Sequence, residues 1–388
     1  MINKQNPMSL YVHWPYCEAK CPYCDFNSHV IEKVDEDNWI KAYSNQLYEY
    51  KSILDKFNVK FDSLNTIFFG GGTPSLMPIK ILENILNISS KIFKFEDNIE
   101  ITLEANPSSY ERKKFKEIKK LGINRLSIGV QSLNDENLQF LGRKHNYKDA
   151  ETAIELARNT FDNVSIDLIY AIYGQKIKDW DKELRLILNK FDLNHLSLYQ
   201  LTIEEGTKFF KDYKKGLLEK VNNDLAADFF KNTEMILNEY NFNRYEISNF
   251  SKEKYESIHN LNYWNSENWI GIGPGAYGRL WCHNQESRRC EIQNYKNPKT
   301  WLAKNYRNPE FENINFFNNH ETDIDTLIMG LRLSKGIEIS KLFNKSIIKQ
   351  NKFLELEEEN LIIIKDDRIK IHDNHIIKLN SILNYLIN

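Results

Sequence analysis

The stretch Tyr11-Val-His-Trp-Pro-Tyr-Cys17-Glu-Ala-Lys-Cys21-Pro-Tyr-Cys24 joins an apolar strand pattern, Leu10–Trp14, to three closely spaced cysteines. Three thiolates on one loop can ligate three irons of a [4Fe–4S] cluster and leave the fourth iron free for another ligand. The alternatives are three unrelated buried cysteines or a zinc site with His13 or His29 as the fourth ligand. The position directly after a strand favours a functional site.

The remaining cysteines and the composition restrict the class of protein. Cys282 and Cys290 lie far from the other three, and an odd total of 5 cysteines fits a disulfide framework poorly, which indicates a reducing compartment. The chain has 388 residues with 27% charged and 41% hydrophobic residues, typical of a globular protein of two or three domains. A net charge of -2 argues against a broadly basic nucleic-acid binder.

Membrane and secretion signals are missing from the sequence pattern. No stretch approaches the roughly 20 uninterrupted apolar residues of a membrane-spanning helix. The first fifteen residues, MINKQNPMSLYVHWP, lack the apolar core of a secretion signal. We therefore expect a cytoplasmic protein.

Apolar or β-branched runs alternate with amphipathic segments over the first two hundred residues. This pattern predicts six βα units, hence parallel strands in an α/β sheet or barrel. The predicted strands are Leu10–Trp14, Thr66–Gly70, Glu100–Glu104, Arg125–Val130, Val164–Ala171 and His195–Leu201. The predicted helices between them are Asp37–Asp55, Ile79–Ile92, Tyr110–Leu121, Lys148–Thr160 and Lys178–Asn189.

Polar residues recur at the carboxyl end of each predicted strand. An α/β barrel places its active site at that end, so these residues predict a functional mouth. They are the cysteine loop, Gly70-Gly71-Gly72-Thr73, Glu104 and Asn106, Gln131, Asp167 and Gln200.

The second half of the chain gives weaker signals. Asn222–Tyr240 reads as a helix, and the stretch from 290 to Asn319, rich in Asn, Lys and aromatic residues, reads as loop-like. After about Glu321, short amphipathic segments follow in the order helix, hairpin, helix, which is typical of a small winged-helix-like α+β module. We expect two domains. Residues 1–315 form a barrel with an extension that follows its sixth strand, and residues 316–388 form the C-terminal module.

On these motifs the sequence resembles the radical S-adenosylmethionine (SAM) superfamily, whose shared signature is a CxxxCxxC loop after the first strand of a partial (βα)6 barrel. More narrowly, it is similar to the anaerobic coproporphyrinogen oxidase-like family over essentially the whole chain. The matching motifs are Tyr11–Cys17, Phe69–Pro74, Glu104–Pro107, Gly129–Ser132 and Leu141–His145. The resemblance implies a partial (βα)6 TIM-like barrel, a [4Fe–4S] cluster on Cys17, Cys21 and Cys24, and bound SAM.

The resemblance also implies which residues contact SAM. A carboxylate suits an ammonium or ribose hydroxyls, an arginine suits a carboxylate, and glycines admit a ligand close to the backbone. The matching positions are Tyr11, Gly71, Gly72, Thr73, Glu104, Gln131, Arg143 and Asp167. One departure follows Tyr170, where the family usually has Gly-Leu-Pro and this chain has Ala171-Ile172-Tyr173.

Two differences separate this chain from the oxidases that it resembles. The oxidases carry a further cysteine two positions after the third, where this chain has Phe26, and they have a much longer segment before the cluster motif. Both differences indicate the haem chaperone branch of the family. The HNxxYW motif characteristic of that branch is present as His259-Asn-Leu-Asn-Tyr263-Trp264. The resemblance implies that His259 is an axial haem ligand and that Tyr263 and Trp264 line the macrocycle.

Two further groups of residues are weak candidates. Gly273-Pro-Gly-Ala-Tyr-Gly278 satisfies GxGxxG, but it does not open a βαβ unit, so we interpret it as a tight loop near the mouth rather than as a dinucleotide site. Cys282, His283 and Cys290 could form a second metal or haem site, but no fourth partner is evident. We interpret them as structural.

The resemblance favours a haem chaperone that binds haem and a SAM-liganded cluster and passes haem to an acceptor protein. A membrane-bound acceptor is compatible with such a carrier, and the sequence leaves homodimerisation open. The alternative is an oxygen-independent coproporphyrinogen III oxidase or another radical SAM enzyme that uses a 5′-deoxyadenosyl radical. A third class, an interaction protein that keeps the cluster for structure or redox sensing, has no specific support in the sequence.

Overall fold

The first two hundred residues fold as alternating strands and helices, as the sequence pattern predicts. The computed structural model describes residues 6–30, 33–283 and 289–387. The strands are β1 (Pro7–Trp14), β2 (Tyr16–Cys17), β3 (His29–Val30), β4 (Ser63–Gly71), β5 (Phe95–Ala105), β6 (Arg125–Gln131), β7 (Asn163–Tyr170), β8 (His195–Gln200), β9 (Asn243–Arg244), β10 (Asn249–Ser251), β11 (Asn268–Ile272), β12 (Tyr277–Trp281), β13 (Arg289–Gln293), β14 (Asn313–Phe317), β15 (Ile337–Glu338), β16 (Ile362–Lys365) and β17 (Arg368–Ile371). The α-helices are α1 (Glu36–Lys56), α2 (Ile79–Ile92), α3 (Ser109–Lys120), α4 (Asp135–Phe140), α5 (Tyr147–Arg158), α6 (Ile177–Lys190), α7 (Lys208–Lys214), α8 (Asn223–Glu239), α9 (Ile258–Trp264), α10 (Pro298–Asn305), α11 (Asn319–Gly330), α12 (Asn351–Glu358) and α13 (Leu379–Ile387).

One large sheet positions the functional residues. Within the described part of the chain it has 12 strands in the order β14-β13-β12-β11-β1-β4-β5-β6-β7-β8-β10-β9. Strands β1 and β4 to β8 pair in parallel, which confirms the predicted βα array. Strand β11 from the extension pairs in parallel with the free side of β1. Antiparallel strands continue the sheet at both edges.

The two faces of the parallel strands differ in chemistry because alternate side chains of a strand point to opposite faces. On β1, Leu10 and Val12 are fully buried and belong to the same apolar core as Leu47 of α1. The alternate residues Ser9 and Tyr11 point to the other face, toward the interior of the partial barrel. The inward face of β5 likewise carries the polar residues Glu100, Thr102 and Glu104.

Side chains define where several helices begin. Asn146 accepts a hydrogen bond from the backbone N–H of Asp149, and the Asp149 carboxylate accepts one from the Asn146 N–H, which is a capping box at the start of α5. At the start of α1, the Asp35 carboxylate accepts a hydrogen bond from the backbone N–H of Asn38 at 3.2 Å. These caps fix the first residues of α5 and α1.

The segment from 290 to Asn319 corrects the sequence analysis, which predicts a loop there. The structure instead contains β13, α10 and β14, with β13 paired to both neighbouring strands. The prediction failed because β14 is an edge strand and its side chains are mostly exposed, so it lacks the apolar alternation of a strand with one buried face.

The C-terminal residues have an apolar core of their own, which includes Leu331, Ile347, Phe353 and Ile369. Helix α12, the β16–β17 hairpin and α13 follow in the predicted order, and β15 pairs with β17. The predicted boundary at 315/316 lies within β14, and the division into two domains stays a prediction. Among the described residues, no helix is both long and apolar enough to span a membrane.

Asp323 of α11 fixes the turn that precedes α12. It is 1% exposed and accepts hydrogen bonds from the backbone N–H groups of Phe343 at 2.7 Å and Asn344 at 3.0 Å. We expect Asp323→Ala to lower the free energy of unfolding by about 2 to 3 kcal/mol, because buried hydrogen bonds to a charged acceptor are lost. Asp373→Ala is the control, since Asp373 is exposed and its ion pair with Lys370 lies at the surface. Equal effects of the two variants on urea denaturation would contradict this prediction.

Candidate functional site

A cavity of about 670 Å³ lies at the carboxyl ends of the parallel strands. It collects the polar residues that the sequence places at successive strand ends. Of the predicted cluster and SAM residues, those that line it are Cys17, Cys21, Cys24, Gly71, Gly72, Thr73, Glu104, Gln131, Arg143 and Asp167. Tyr11 lies deeper in the barrel, where its hydroxyl is 3.1 Å from His13 Nδ1.

The three cysteines share one loop above the end of β1, and hydrogen-bond donors face their sulfur atoms. Thr73 Oγ1 donates to Cys17 Sγ at 3.4 Å, and Arg143 Nη1 donates to Cys21 Sγ at 3.5 Å. A tight turn brings the backbone N–H of Cys24 to 3.2 Å from the carbonyl of Cys21. Such donors stabilise thiolates that bind a metal cluster.

These residues fit a [4Fe–4S] cluster. Three thiols line one cavity together with a guanidinium, and Arg143 Nε is buried without a hydrogen-bond partner among the described residues. In the described part of the chain, no three His, Cys, Asp or Glu side chains meet where one metal ion could bind them. The thiolates of a cluster each bind a different iron, so their sulfur atoms need not meet at one point.

The glycine turn after β4 packs directly on the cysteine loop. A Cβ on Gly71, whose φ is +111°, would lie 2.6 Å from the ring of His13, and a Cβ on Gly72 would lie 2.7 Å from the carbonyl oxygen of Tyr16. The N–H of Gly72 donates to Trp14 O at 2.7 Å. The turn therefore needs glycine for close approach to the loop as well as for its conformation.

Glu104 and Asp167 form a pair of carboxyl groups in the cavity. Burial, with a smaller contribution from Asp167, raises the pKa of Glu104 to about 8. Burial raises the pKa of Asp167 to about 6, opposed by hydrogen bonds from Ser197 and Ser127. An ammonium group or hydroxyl donors of a bound ligand would favour the ionised carboxylates and lower both pKa values.

Gln131 and Arg143 enter the cavity from neighbouring segments. Gln131 has a φ of +68° at an irregularity in the β6–β7 pairing, and backbone strain of this kind is common where a side chain is aimed into a site. Arg143 donates through Nη2 to Gly129 O at 2.8 Å and also to Asn106. The turn after Tyr170 is left-handed as well, with a φ of +56° at Ala171, where the family has glycine.

The raised pKa of Glu104 predicts a loss of stability at alkaline pH. The Glu104 carboxyl group ionises near pH 4.5 in the unfolded chain and near pH 8 in the folded chain. Between these pH values only the folded state holds this proton, so stability falls as the pH rises through the window. From pH 6.5 to 8 we expect a loss of about 1 to 2 kcal/mol in the cluster-free protein. Glu104→Gln should remove most of that loss in urea denaturation at the two pH values. An equal loss in both proteins would contradict the assignment.

The HNxxYW motif forms α9, which fills the interior of the barrel away from the cavity. His259 is 1% exposed, stacks on Phe68 at 4.9 Å and lies 2.7 Å through Nδ1 from Thr66 Oγ1. Its Nε2 is 2.8 Å from the hydroxyl of Tyr263. Thr66 and Phe68 precede Gly71 by five and three residues on the same strand, which rises about 10 to 16 Å over that distance, so His259 lies below the cavity.

Burial lowers the pKa of His259 to about 3, so the imidazole is neutral. Trp264, the last residue of the motif, lies 5.4 Å beneath the guanidinium of Arg332. Its indole Nε1 is buried without a hydrogen-bond partner among the described residues. The structure thus brings His259 and Tyr263 together and places Trp264 against the C-terminal part of the chain.

Glu100 and Asn27 are two residues that the sequence analysis did not single out. Glu100 accepts hydrogen bonds from Ser257 and from the backbone N–H groups at the start of α9. The inward alternation of Glu100, Thr102 and Glu104 could have identified it. Asn27 follows the cysteines in an irregular loop, where no periodic pattern marks it.

The weak candidates of the sequence analysis lie outside the lining of the cavity. Cys282 and Cys290 are buried with their sulfur atoms 3.4 Å apart at the ends of β12 and β13. His283 bonds the α1 region through its backbone N–H, 3.1 Å from Phe57 O. The glycine-rich loop Gly273–Gly278 joins β11 to β12.

A parallel sheet with three cysteines beyond its first strand and a glycine turn beyond its second defines a protein of the radical SAM class. The model of the radical SAM superfamily matches residues 11–187. Escherichia coli coproporphyrinogen III oxidase (HemN), described as a radical SAM enzyme, shares the fold with a TM-score of 0.79 at 17% identity, over 98% of this chain and 90% of that one. This likeness confirms the predicted fold class.

Curated relatives show which family within the radical SAM superfamily this chain resembles. A protein from Buchnera aphidicola subsp. Acyrthosiphon pisum named heme chaperone HemW is 37% identical over 79% of this chain and 78% of its own length. The mitochondrial radical S-adenosyl methionine domain-containing protein 1 of Dictyostelium discoideum is 36% identical over 96% of this chain and 92% of its own length. The chain belongs to the HemW family of radical SAM proteins.

Proposed function

We propose that this protein is a cytoplasmic haem chaperone that carries a [4Fe–4S] cluster and SAM, binds haem, and passes it to a haem-requiring acceptor protein. The observation that carries the proposal is the 37% identity, over 79% of the chain, to a protein named heme chaperone HemW. Phe26 supports it over an oxidase, because this position carries no additional cysteine beside the cluster loop.

In this proposal the cavity holds the cluster and SAM. Cys17, Cys21 and Cys24 would ligate the cluster, and Glu104 and Asp167 would face donor groups of SAM. The reduced cluster would supply the electron for reductive cleavage of SAM. The protein's own contribution is to hold the thiolates beside Arg143 and Thr73 and to keep two carboxyl groups in the cavity.

We propose His259 as the axial haem ligand, with Tyr263 and Trp264 against the macrocycle. A neutral imidazole is the form that binds iron, and the low pKa of His259 keeps it neutral. Thr66 holds Nδ1, as a second-shell partner does for a metal-binding histidine. Iron at Nε2 would replace the hydrogen bond to Tyr263. Because His259 is 1% exposed, haem binding requires Tyr263 and the other residues that cover the imidazole to move aside.

The alternative function is an oxygen-independent coproporphyrinogen III oxidase. It would use the same cavity residues for SAM, Glu104, Gln131, Arg143 and Asp167, so the cavity is compatible with both functions. The two functions differ in what happens to the tetrapyrrole: a chaperone releases haem unchanged, whereas an oxidase decarboxylates its substrate.

Two parallel assays with the cluster-loaded protein distinguish these functions. In one, haem-loaded protein is mixed with a haem-free cytochrome, and transfer is followed by absorbance with and without SAM. In the other, reduced protein is incubated with SAM and coproporphyrinogen III, and 5′-deoxyadenosine and decarboxylated products are measured. We expect haem transfer and no decarboxylation. Catalytic decarboxylation without stable haem binding would overturn the proposal in favour of the oxidase.

A further inference from the structure

The glycine-rich loop between β11 and β12 lies against the cysteine loop, and the proposed function assigns it no role. Gly273 has a φ of +99°, and a Cβ there would lie 2.3 Å from the carbonyl oxygen of His13. Gly275 has a φ of +74°, and a Cβ there would lie 2.6 Å from Asn27 Nδ2. Both positions combine a left-handed backbone with close approach, so both require glycine.

Asn27 is the residue of the cysteine loop that lies against Gly275. Its Nδ2 donates to Pro274 O and to Lys296 O, both at 2.9 Å, so both amide hydrogens are used on carbonyls distant in sequence. Its Oδ1 lies 3.3 Å from His29 Nε2. The side chain therefore ties the segment after Cys24 to two parts of the extension.

His13 connects Asn27 to the interior of the barrel. His13 Nε2 donates to the backbone carbonyl of Asn27 at 2.9 Å, and its Nδ1 then accepts from the Tyr11 hydroxyl at 3.1 Å. One neutral tautomer satisfies both bonds. The same ring is the group that excludes a Cβ at Gly71. Asn27 thus lies where strand β1, the glycine turn after β4 and the extension meet.

We propose that Asn27 and the Gly273-Pro274-Gly275 loop form a clamp that fixes the cysteine loop, with Asn27 as a positioning residue for the [4Fe–4S] cluster. The proposal rests on the cluster site of the proposed function but not on haem binding. Asn27 and the Gly273-Pro274-Gly275 loop do not line the cavity, so the clamp would position the segment that carries Cys24 without contacting the cluster. It also gives the glycine-rich motif a role other than nucleotide binding.

The first test uses the cluster-free protein, so its outcome does not depend on haem or on activity. Asn27→Asp keeps the shape of the side chain but removes both N–H donors. We expect amide hydrogen exchange within residues 17–30 to become on the order of tenfold faster. Asn45→Asp is a matched control, because Asn45 Nδ2 also bridges two carbonyls, those of Asn305 at 3.1 Å and Tyr306 at 2.9 Å, away from the cysteine loop. We expect no change in residues 17–30 of this control.

The second test follows the cluster itself. In reconstituted Asn27→Asp, we expect faster loss of iron to a chelator and an altered electron paramagnetic resonance spectrum of the reduced cluster with SAM, neither of which Asn45→Asp should show. Unchanged exchange together with a wild-type spectrum would overturn the proposal. If Asn27→Asp does not fold, Gly275→Ala decides by the same two measurements, because its added Cβ displaces Asn27.

Discussion

Cys21→Ser is expected to lower the iron content of the reconstituted protein from about four atoms per chain to nearly none. A serine hydroxyl is a poor ligand for cluster iron, and the two remaining cysteines cannot hold a cube that also leaves an iron open for SAM. The change also removes the sulfur that accepts a hydrogen bond from Arg143, which would leave a cation at the site without its thiolate partner. The measurement is iron and sulfide analysis together with the visible absorbance of the cluster.

Cys282→Ala provides the control for this result. Cys282 and Cys290 lie in the core and do not line the cavity, so the variant should retain its full iron content. Loss of iron in Cys282→Ala would show that the second cysteine pair holds metal, which would overturn its structural interpretation. Retention of iron in Cys21→Ser, or zinc in place of iron in the wild type, would contradict the cluster assignment.

Glu100→Ala is expected to lower the free energy of unfolding by about 3 to 5 kcal/mol, the range found when one partner of a buried ion pair is removed. Glu100 is 8% exposed and lies 4.0 Å from the guanidinium of Arg125, which is 4% exposed. Its carboxylate also accepts from Ser257 Oγ at 3.3 Å and from the backbone N–H groups of Ile258 at 3.1 Å and His259 at 3.0 Å. One side chain therefore neutralises a buried cation and caps α9.

Urea denaturation of the cluster-free protein measures the effect of Glu100→Ala. Glu100→Gln, which keeps the shape and one acceptor, should lie between the wild type and the alanine variant. Glu83→Ala on the exposed face of α2 should change stability by less than about 0.5 kcal/mol. A loss below about 1 kcal/mol in Glu100→Ala would contradict the role assigned to this carboxylate.

The sequence predicts the parallel strands and the mouth because both have strong local signals. Each inner strand combines a buried apolar face with polar residues at its carboxyl end, and the chain order of strands and helices restricts the pairing. Gly71, Glu104, Gln131 and Asp167 come together for this reason. Their role in binding SAM stays a prediction from the resemblance.

Other features could not be predicted because they depend on contacts distant in sequence. Strand β11 joins the parallel sheet beside β1, although the sequence analysis predicts no helix directly before it. The helix that precedes it, α9, is held in the barrel by hydrogen bonds from Asn262 to Ser9 at 2.8 Å and to Asn65 at 3.1 Å. Asn27 lies in an irregular loop and its two acceptors are more than two hundred residues away. The periodicity of apolar residues within one segment carries no information about such long-range contacts.

An anaerobic haem titration of the cluster-loaded protein tests the central claim most directly. We expect saturable binding near one haem per chain in the wild type, clearly weaker binding or a changed ligation spectrum in His259→Gln, and wild-type binding in His320→Gln, which alters an exposed histidine. Tyr263→Phe, which frees Nε2, should bind haem at least as tightly as the wild type. Haem binding that is absent, or that is the same in His259→Gln as in the wild type, would contradict the account.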